Sequence, residues 1–336
     1  MVMKAMFMSA NASSLNSVYT AHVRDKLSNH VEFLEPMNSF KQEDLKKHAD
    51  DLKTVDFIFS TWGMPRFERA FIAGSMPKLK VLFYGAGSVQ SFAREFLEEN
   101  RIVVSAWGAN AVPVAEFTVS QIILATKGYF QKFKHTSTDK WDNRKKTGYF
   151  PGNYNTKVGI IGAGMVGSAV IKLLKSYTMD IYVYDPFLSD DAASVLGVKK
   201  VHLEYIFAEC FVISNHLANN NQTKGILNGK LFSLMQENAV FINTGRGAQV
   251  VEKDLSDAMR EKPNRIALLD VTEPEPPQEG SELYKLENVF LSPHIAGGIG
   301  AEVQRMGEYM YDEFCAYLDN RSLSYAVSLN MLETMA

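Results

Sequence analysis

Apolar runs of strand length alternate with helical stretches along the first hundred residues of the chain. The segments between the runs carry apolar residues at helical spacing. This alternation predicts an α/β domain with a parallel sheet, because each helix returns the chain to the start of the next strand. The predicted strands are residues 4–9, 31–34, 56–60, 80–84 and 102–105.

A second alternating series follows a long amphipathic segment at 112–130 and a polar loop at 139–155. Six strands are the number in a doubly wound sheet, so we expect a second α/β domain here. After Pro293 the sequence predicts mainly one helix, at 301–318. Since a helix cannot form a domain alone, we expect this helix to pack on the first domain. The six strands are predicted at 158–161, 181–185, 211–215, 239–243, 265–270 and 289–291.

The strongest local motif begins where strand 158–161 ends. Gly162, Gly164 and Gly167 form a Gly-x-Gly-x-x-Gly pattern between an apolar strand and a helical segment. The first permits a tight turn, the second lets the backbone approach a pyrophosphate, and the third lets the helix pack closely on the strand. Unpaired N–H groups at the helix N-terminus favour an anion there. We therefore expect a dinucleotide to bind the whole turn, which is Gly162, Ala163, Gly164, Met165, Val166 and Gly167.

Asp185 ends the next strand of this series, roughly 20 residues beyond the glycines. A carboxylate in that position accepts hydrogen bonds from the ribose hydroxyls of adenosine. It also repels a 2′-phosphate, and Pro186 and Phe187 supply no arginine to receive one. The sequence thus predicts NAD rather than NADP. The alternative for Asp185 is a solvated acid at a strand end.

Composition and charge limit the classes of function. The 336 residues are 46% apolar, which is enough for two domains with real cores. The net charge of −3 and the scattered basic residues argue against nucleic acid as a partner. The notable basic cluster, at residues 144–146, is expected to be a solvated face.

The cysteine count and the apolar runs bear on location. Cys210 and Cys315 are far apart in the sequence, which excludes a cysteine-based zinc site and argues against a disulfide framework. The apolar segment 5–8 is too short for the core of a signal peptide, and no other run approaches a membrane span. We expect a cytoplasmic protein with no metal and no membrane partner.

Candidate chemistry follows the last strands of the second series, at 243–247, 270–276 and 292–298. Ligands of an open α/β sheet bind at these carboxyl ends. Arg246 can bind a carboxylate and a carbonyl oxygen in a planar fork. His294 can donate a proton to a developing alkoxide, and Glu275 can orient its imidazole. These groups suit an α-keto acid that receives hydride at its carbonyl carbon.

Each of these residues also has an ordinary alternative. Arg246 could pair with a nearby acid at the strand end, Glu275 could be a loop acid held between prolines, and His294 could be a satisfied loop histidine. The three occur at successive strand ends beside a dinucleotide motif, and that combination favours the catalytic interpretation.

The sequence resembles the D-isomer-specific 2-hydroxyacid dehydrogenase family over nearly its whole length. The resemblance lies in GAGMVG with Asp185, NTGRG, DVTEPEP, SPHIAGG and VAEFT at 114–118. It implies an NAD-dependent oxidoreductase that reduces a small 2-keto acid to the D-2-hydroxy acid, and the reverse. Arg246, Glu275 and His294 would be the catalytic trio. Glu275 is preferred to Glu273 because it immediately precedes the second proline of the motif.

The resemblance also implies an architecture and an assembly. A Rossmann cofactor domain, at 108–298, would be inserted into a flavodoxin-like substrate domain formed by 1–107 and 299–336. The protein would be a homodimer, with the helix that begins near Val112 in the interface. Some relatives instead act as NAD(H)-dependent corepressors, so the alternative function is a cofactor-sensing binding protein. Related formate dehydrogenases pair the histidine with a glutamine, whereas this sequence has Glu275. The glutamate favours reduction of a keto acid over oxidation of formate.

Further site residues follow from the resemblance. Asp270 would hold the nicotinamide carboxamide, and the turn 84–88 would bind the substrate carboxylate through backbone N–H groups. Two departures from the family occur: Val89 replaces an acidic or amide residue, and Ala218 replaces a proline near the adenine. The remaining cofactor residues would be His216, Thr244, Gly245, His294 and Gly297, and the substrate residues of the turn Gly85, Ala86 and Gly87. Taken by itself, His216 is interpreted as a structural or surface residue.

The substrate side chain is the least determined part of the prediction. Trp62 and Trp107 are placed on loops after strands of the first domain, where each could line the substrate pocket or anchor domain packing. Arg66 could bind a second anionic group of the substrate or remain solvated. The sequence does not select among small 2-keto acids.

Overall fold

The computed structural model describes residues 2–138 and 149–333, so the basic cluster at 144–146 lies outside the described residues. The chain forms two compact units. The first contains the chain up to Ala111 and resumes at Gly298, and the second is Val112–Gly297.

The first unit contains a five-stranded parallel sheet in the order β2-β1-β3-β4-β5. This is the strand order of flavodoxin-like folds, and it agrees with the predicted class. The strands are β1 (Lys4–Met8), β2 (Glu32–Phe33), β3 (Phe57–Ser60), β4 (Val81–Tyr84) and β5 (Ile102–Ser105). Six helices lie wholly between them: α1 (Ala12–Val18), α2 (Ala21–Ser28), α3 (Gln42–Lys47), α4 (Ala49–Leu52), α5 (Arg69–Ser75) and α6 (Ala93–Glu98).

Both faces of this sheet are buried. Along β3, Phe57 and Phe59 enter one apolar cluster, while Ile58 enters the cluster on the other face. Two-sided burial explains why the strand reads as a continuous apolar run rather than as an alternating pattern.

The C-terminal helix covers one face of the first sheet. This helix, numbered α14 (Gln304–Leu318) by its place in the chain, follows a 3₁₀ turn at Gly300–Val303. Its Phe314 ring lies 5.3 Å from Phe57, 5.5 Å from Phe59 and 5.7 Å from Phe83, each in an edge-to-face arrangement. Such aromatic pairs stabilise beyond their buried area, so this helix is part of the core of the first unit.

The second unit contains a seven-stranded parallel sheet in the order β12-β11-β10-β9-β6-β7-β8 among the described residues. From β8 to β11 the order is the 3-2-1-4-5-6 of a doubly wound nucleotide-binding fold, with β12 added beyond it. The strands are β6 (Tyr154–Ile161), β7 (Thr178–Tyr184), β8 (Lys199–Lys200), β9 (Val212–Asn215), β10 (Val240–Asn243), β11 (Ile266–Leu269) and β12 (Val289–Leu291). The helices are α8 (Tyr129–Thr138), α9 (Met165–Leu174), α10 (Asp190–Leu196), α11 (Leu203–Glu209), α12 (Gly229–Leu234) and α13 (Glu252–Glu261).

The prediction of six strands in this series was wrong by one. The additional strand, β8, consists of Lys199 and Lys200, which are exposed at the edge of the sheet. Two lysines do not form an apolar run, so hydrophobic patterning gives no signal for this strand.

The long helix predicted at 112–130 begins earlier and is divided. Helix α7 (Trp107–Thr126) starts two residues after β5, and Gly128, at φ +66°, separates it from α8. Trp107 is therefore the first residue of a helix, and its predicted place on a loop was wrong. Among the described residues, no helix combines the length and apolar character needed to cross a bilayer.

Candidate active site

The three glycines of the turn after β6 have distinct surroundings. Gly162 has φ +92°, in the left-handed half of backbone space that favours glycine. A Cβ on Gly167 would overlap the carbonyl oxygen of Gly162, whereas a Cβ on Gly164 would meet no atom within 4 Å. The open side of Gly164 lies at the start of the ten-residue helix α9. The turn therefore has the free space and the helix terminus that a pyrophosphate requires.

Asp185 links the end of β7 to this glycine turn. Its Oδ2 accepts the N–H of Ala163 at 2.7 Å, and its Oδ1 accepts the N–H of Phe187 at 2.7 Å. An ionised carboxylate has about four acceptor positions, so about two remain for ribose hydroxyls. Of the other predicted turn residues, Met165 is exposed and Val166 is half-buried.

Asp270 organises the loop that carries His294. The carboxylate is buried, and its Oδ1 accepts the Ser292 hydroxyl at 2.6 Å and the Ile295 N–H at 2.9 Å. Its Oδ2 accepts the N–H of Ala296 at 2.9 Å. Three of about four acceptor positions are thus used within the protein, and one remains. Sequence reasoning assigned this residue to the nicotinamide alone and missed the loop contacts.

His294 has a left-handed backbone conformation, with φ +54°. For a residue with a Cβ this costs of order 1–2 kcal/mol, so the surroundings must impose it. The His294 N–H donates to the carbonyl oxygens of Asp270, at 3.0 Å, and Ser292, at 2.9 Å. Together with the contacts of the Asp270 carboxylate, these bonds hold the backbone at His294 in this conformation.

The imidazole of His294 contacts Glu275. The distance from His294 Nδ1 to Glu275 Oε1 is 2.7 Å, and both side chains are nearly half exposed. A carboxylate at Nδ1 fixes the ring orientation and places the Nδ1 proton toward the acid, which leaves Nε2 for a substrate. Glu273, the acid that sequence reasoning set aside, is exposed.

Arg246 follows β10 and is half-buried, with its Nη1 donating to the carbonyl oxygen of Gly245 at 2.7 Å. Burial lowers the pKa of the guanidinium, and the negative charge of Glu275 opposes that shift. A Cβ on Gly247 would overlap the backbone of Thr272. This close approach brings the Arg246 loop against the loop that carries Glu275.

His216 is buried and fully partnered. Its Nε2 lies 2.9 Å from Ser214 Oγ, and its Nδ1 lies 3.3 Å from the hydroxyl of Thr244, which in turn lies 3.1 Å from the Thr118 hydroxyl. Burial lowers the pKa of His216 to about 3, so the ring is neutral at physiological pH. The imidazole holds Thr244 in place. The other predicted cofactor residues, Gly245 and Gly297, lie in the loops after β10 and β12.

In the first unit, side-chain hydroxyls donate hydrogen bonds to the backbone carbonyls of the turn after β4. Thr61 donates to the carbonyl of Gly85 at 2.8 Å, and Ser105 donates to those of Ala86, at 2.9 Å, and Gly87, at 2.5 Å. Within the described residues, the N–H groups of Gly87 and Ser88 donate to no protein acceptor. Free N–H groups in such a turn suit an anion.

Asn110 lies beside this turn and was not singled out from the sequence. Its Oδ1 accepts the N–H of Gly298 at 3.1 Å, and its Nδ2 would be 3.2 Å from a Cβ on Gly87. A single asparagine on a helix is not part of a recognisable sequence motif. The proximity of Asn110 to Gly87 is therefore evident only from the fold.

The two tryptophans differ in their surroundings. The Trp107 ring is half-buried and packs edge-to-face on Tyr325, at 5.7 Å, which supports a packing role. Trp62 is 38% exposed, on a loop held by the bond from Ser9 Oγ to the Trp62 carbonyl at 2.6 Å. Arg66 is exposed, and no ion pair joins it to another described residue. Nor do the described residues form a group of three or more ligands suited to a metal ion.

Comparisons with known proteins identify the family of this chain. Residues 119–296, just over half of the chain, match the family model described as D-isomer specific 2-hydroxyacid dehydrogenase, NAD binding domain. A D-3-phosphoglycerate dehydrogenase of Archaeoglobus fulgidus is 30% identical over 69% of this chain and 44% of its own length. A glyoxylate reductase of Korarchaeum cryptofilum is 29% identical over 79% of this chain and 80% of its own length.

The chain spans about half the length of several curated relatives, with 44%, 56% and 41% of three of them covered. Among solved structures, an NAD-complexed D-isomer specific 2-hydroxyacid dehydrogenase of Lactobacillus delbrueckii ssp. bulgaricus aligns with a TM-score of 0.78. The alignment covers 97% of this chain and 100% of that one at 17% identity, so it shows a shared fold.

The glycine turn generates a paired prediction. We expect Gly164→Ala to keep the thermal stability of the wild type, because its Cβ meets open space, but to weaken NADH binding at least about tenfold by blocking the pyrophosphate. Gly167→Ala should instead lower the melting temperature strongly, because its Cβ overlaps backbone. Thermal melts and NADH fluorescence titrations measure both. Wild-type NADH affinity in Gly164→Ala would contradict this account of the turn.

Proposed function

Because the chain belongs to the D-isomer specific 2-hydroxyacid dehydrogenase family, we propose that it interconverts a small 2-keto acid and the corresponding D-2-hydroxy acid with NAD(H). The observation that carries the proposal is the contact of His294 with Glu275, beside Arg246 and on the unit that contains the glycine turn. An imidazole held by a carboxylate, with a guanidinium nearby, provides a proton donor and an anion site together.

Arg246 is proposed to bind the carboxylate and the carbonyl oxygen of the keto acid. Its planar fork offers two parallel donors, and its partial burial strengthens their attraction for an anion. The same charge stabilises negative charge that develops on the carbonyl oxygen, so Arg246 acts on the transition state as well as on binding.

His294 is proposed to supply the proton. When bound, the dinucleotide supplies the hydride to the carbonyl carbon of the substrate. His294 Nε2 donates its proton to the resulting alkoxide, and in the reverse direction it removes the hydroxyl proton. In both directions the Glu275 carboxylate accepts a hydrogen bond from Nδ1–H and keeps the ring in the orientation that presents Nε2. The balanced reduction consumes one keto acid, one NADH and one proton.

The second unit is proposed to hold the cofactor. The open face of Gly164 would receive the pyrophosphate, the remaining acceptor positions of Asp185 would bind the ribose, and that of Asp270 would bind the carboxamide. Thr244, whose hydroxyl contacts His216 Nδ1, directly follows strand β10, which is adjacent to β11 in the sheet. The carboxylate of Asp185 favours NAD over NADP by repelling a 2′-phosphate.

The first unit is proposed to hold the substrate. The free N–H groups of Gly87 and Ser88 provide an anion site at the carboxyl end of its sheet. Trp62 is exposed on the loop after β3, and we propose that it limits the size of the substrate side chain. Arg66 offers a cation for a second anionic group of the substrate.

The experiment that tests this function measures oxidation of NADH and NADPH against glyoxylate, hydroxypyruvate, pyruvate, phenylpyruvate, branched 2-keto acids and oxaloacetate. We expect turnover of at least one acid, with NADH preferred. In His294→Ala, kcat should fall about 10²- to 10⁴-fold, because the proton donor is lost. NADH should still bind.

Two results would contradict the proposal. Unchanged turnover in His294→Ala would remove that residue from its role, and preferential use of NADPH would refute the argument from Asp185. Tight NADH binding without turnover of any acid would favour a cofactor-sensing protein.

The protein is further proposed to be a homodimer. Leu124 on α7, and Tyr129 and Phe133 on α8, are 40–59% exposed, and the two aromatic rings stack 5.5 Å apart. An exposed apolar group of this kind is typical of an interaction surface.

Light scattering of the full chain is expected to give the mass of a dimer. Phe133→Glu should shift that mass toward the monomer, because a charge would be buried in the contact. The matched control is Val195→Glu, which places the same charge at an exposed apolar position of α10. A monomeric wild type, or equal behaviour of the two variants, would refute the interface.

A further inference from the structure

Gln249 is a fully buried polar residue that the proposed mechanism does not use. It ends the 3₁₀ helix Gly247–Gln249, three residues beyond Arg246, and its side chain has no solvent exposure. A buried amide is costly unless its two donors and its acceptor lone pairs find partners. The identity of those partners therefore shows what the residue holds in place.

All four hydrogen-bonding positions of the Gln249 amide are used. Its Oε1 accepts the side-chain N–H of Asn215 at 2.5 Å and the backbone N–H of Arg246 at 3.2 Å. Its Nε2 donates to the carbonyl oxygens of Leu217, at 2.6 Å, and Ala218, at 2.9 Å. One side chain thus connects the loop after β9 to the loop after β10.

Asn243 also forms hydrogen bonds with the backbone around Arg246. Its Nδ2 donates to the Arg246 carbonyl at 3.1 Å, and its Oδ1 accepts the N–H of Gly245, also at 3.1 Å. Asn215 donates to the same Oδ1 at 3.0 Å. Both the N–H and the C=O of Arg246 are therefore fixed by side-chain amides rather than by strand partners.

The close packing at Gly245 shows how little freedom the Arg246 loop has. A Cβ at this position would lie 2.9 Å from Asn215 Nδ2 and 3.0 Å from Gln249 Oε1. The amide cluster, defined here as Asn215, Asn243 and Gln249, therefore lies directly against the backbone that precedes Arg246. A planar fork that binds a carboxylate loses much of its effect when it is displaced by about 1 Å.

We propose that Gln249 is a positioning residue that sets the orientation of Arg246 and couples it to the Leu217–Ala218 segment on the cofactor side. The inference rests on the proposed function, in which Arg246 binds the keto acid. It predicts that loss of the Gln249 amide changes substrate use and cofactor affinity in excess of its effect on stability.

The test compares Gln249→Leu with Gln131→Leu in the full chain. Gln131 is a matched control because it is also buried and also donates to two loop carbonyls, those of Asn238 and Asn264, at 3.1 Å each. Those loops enter β10 and β11 rather than leave them, so they lie at the other end of the sheet. Gln249→Leu removes two donations and two acceptances, whereas Gln131→Leu removes two donations, so the melting temperature should fall in both variants and up to about twice as far in Gln249→Leu.

We expect Gln249→Leu to lower kcat/KM about 10- to 100-fold with any keto acid that the wild type uses, mainly through KM, while Gln131→Leu changes it less than about threefold. In the Arg246→Lys background, adding Gln249→Leu should cost less than about threefold, because residues that act through one another are not additive. The NADH dissociation constant, from fluorescence titration, should rise in Gln249→Leu alone.

Equal kinetics and equal NADH affinity in the two glutamine variants would overturn the inference, as would fully additive effects of Gln249→Leu and Arg246→Lys. If the wild type turns over no acid, it is the proposed function that fails. NADH affinity then decides the inference by itself: selective weakening in Gln249→Leu supports the coupling to Leu217 and Ala218, and no difference between the variants refutes it.

Discussion

Parallel strands end together at one edge of a sheet, and the loops that leave them cannot continue the ladder of backbone hydrogen bonds. At the edge formed by β9, β10, β11 and β12, polar side chains replace that ladder. Asp270 holds the loop after β12 through three hydrogen bonds, and Gln249 holds the loops after β9 and β10 through four. Because unpaired buried groups are costly, these contacts hold the loops in place.

The position of each reactive side chain follows from this arrangement. The left-handed conformation of His294 is maintained by bonds to Asp270 and Ser292, and the imidazole consequently meets Glu275 at 2.7 Å. Gly247, which follows Arg246, allows the loop to pack against the backbone at Thr272. Burial lowers the pKa of both His216 and Arg246: His216 is neutral inside its network, whereas the negative charge of Glu275 opposes the shift at Arg246.

The sequence predicted the parts of this protein whose signals are local. The glycine turn, Asp185 and the residues at strand ends are recognisable because each occupies a fixed place relative to an apolar run. The loop contacts of Gln249 and Asp270 could not be predicted, since their partners other than Arg246 lie 22 to 34 residues away and no spacing rule connects them. The start of α7 at Trp107 and the two-residue strand β8 depend on tertiary packing rather than on periodicity.

The family membership and the geometry together point to hydride transfer to the carbonyl carbon of a 2-keto acid. The most direct measurement uses NADH deuterated at C4 on the transferred face, with analysis of the product by mass spectrometry and chiral chromatography. We expect a 2-hydroxy acid with one deuterium at C2 and, for a substrate such as phenylpyruvate, the D configuration alone. Oxidation of the cofactor without deuterium in the product, or an L product, would contradict it.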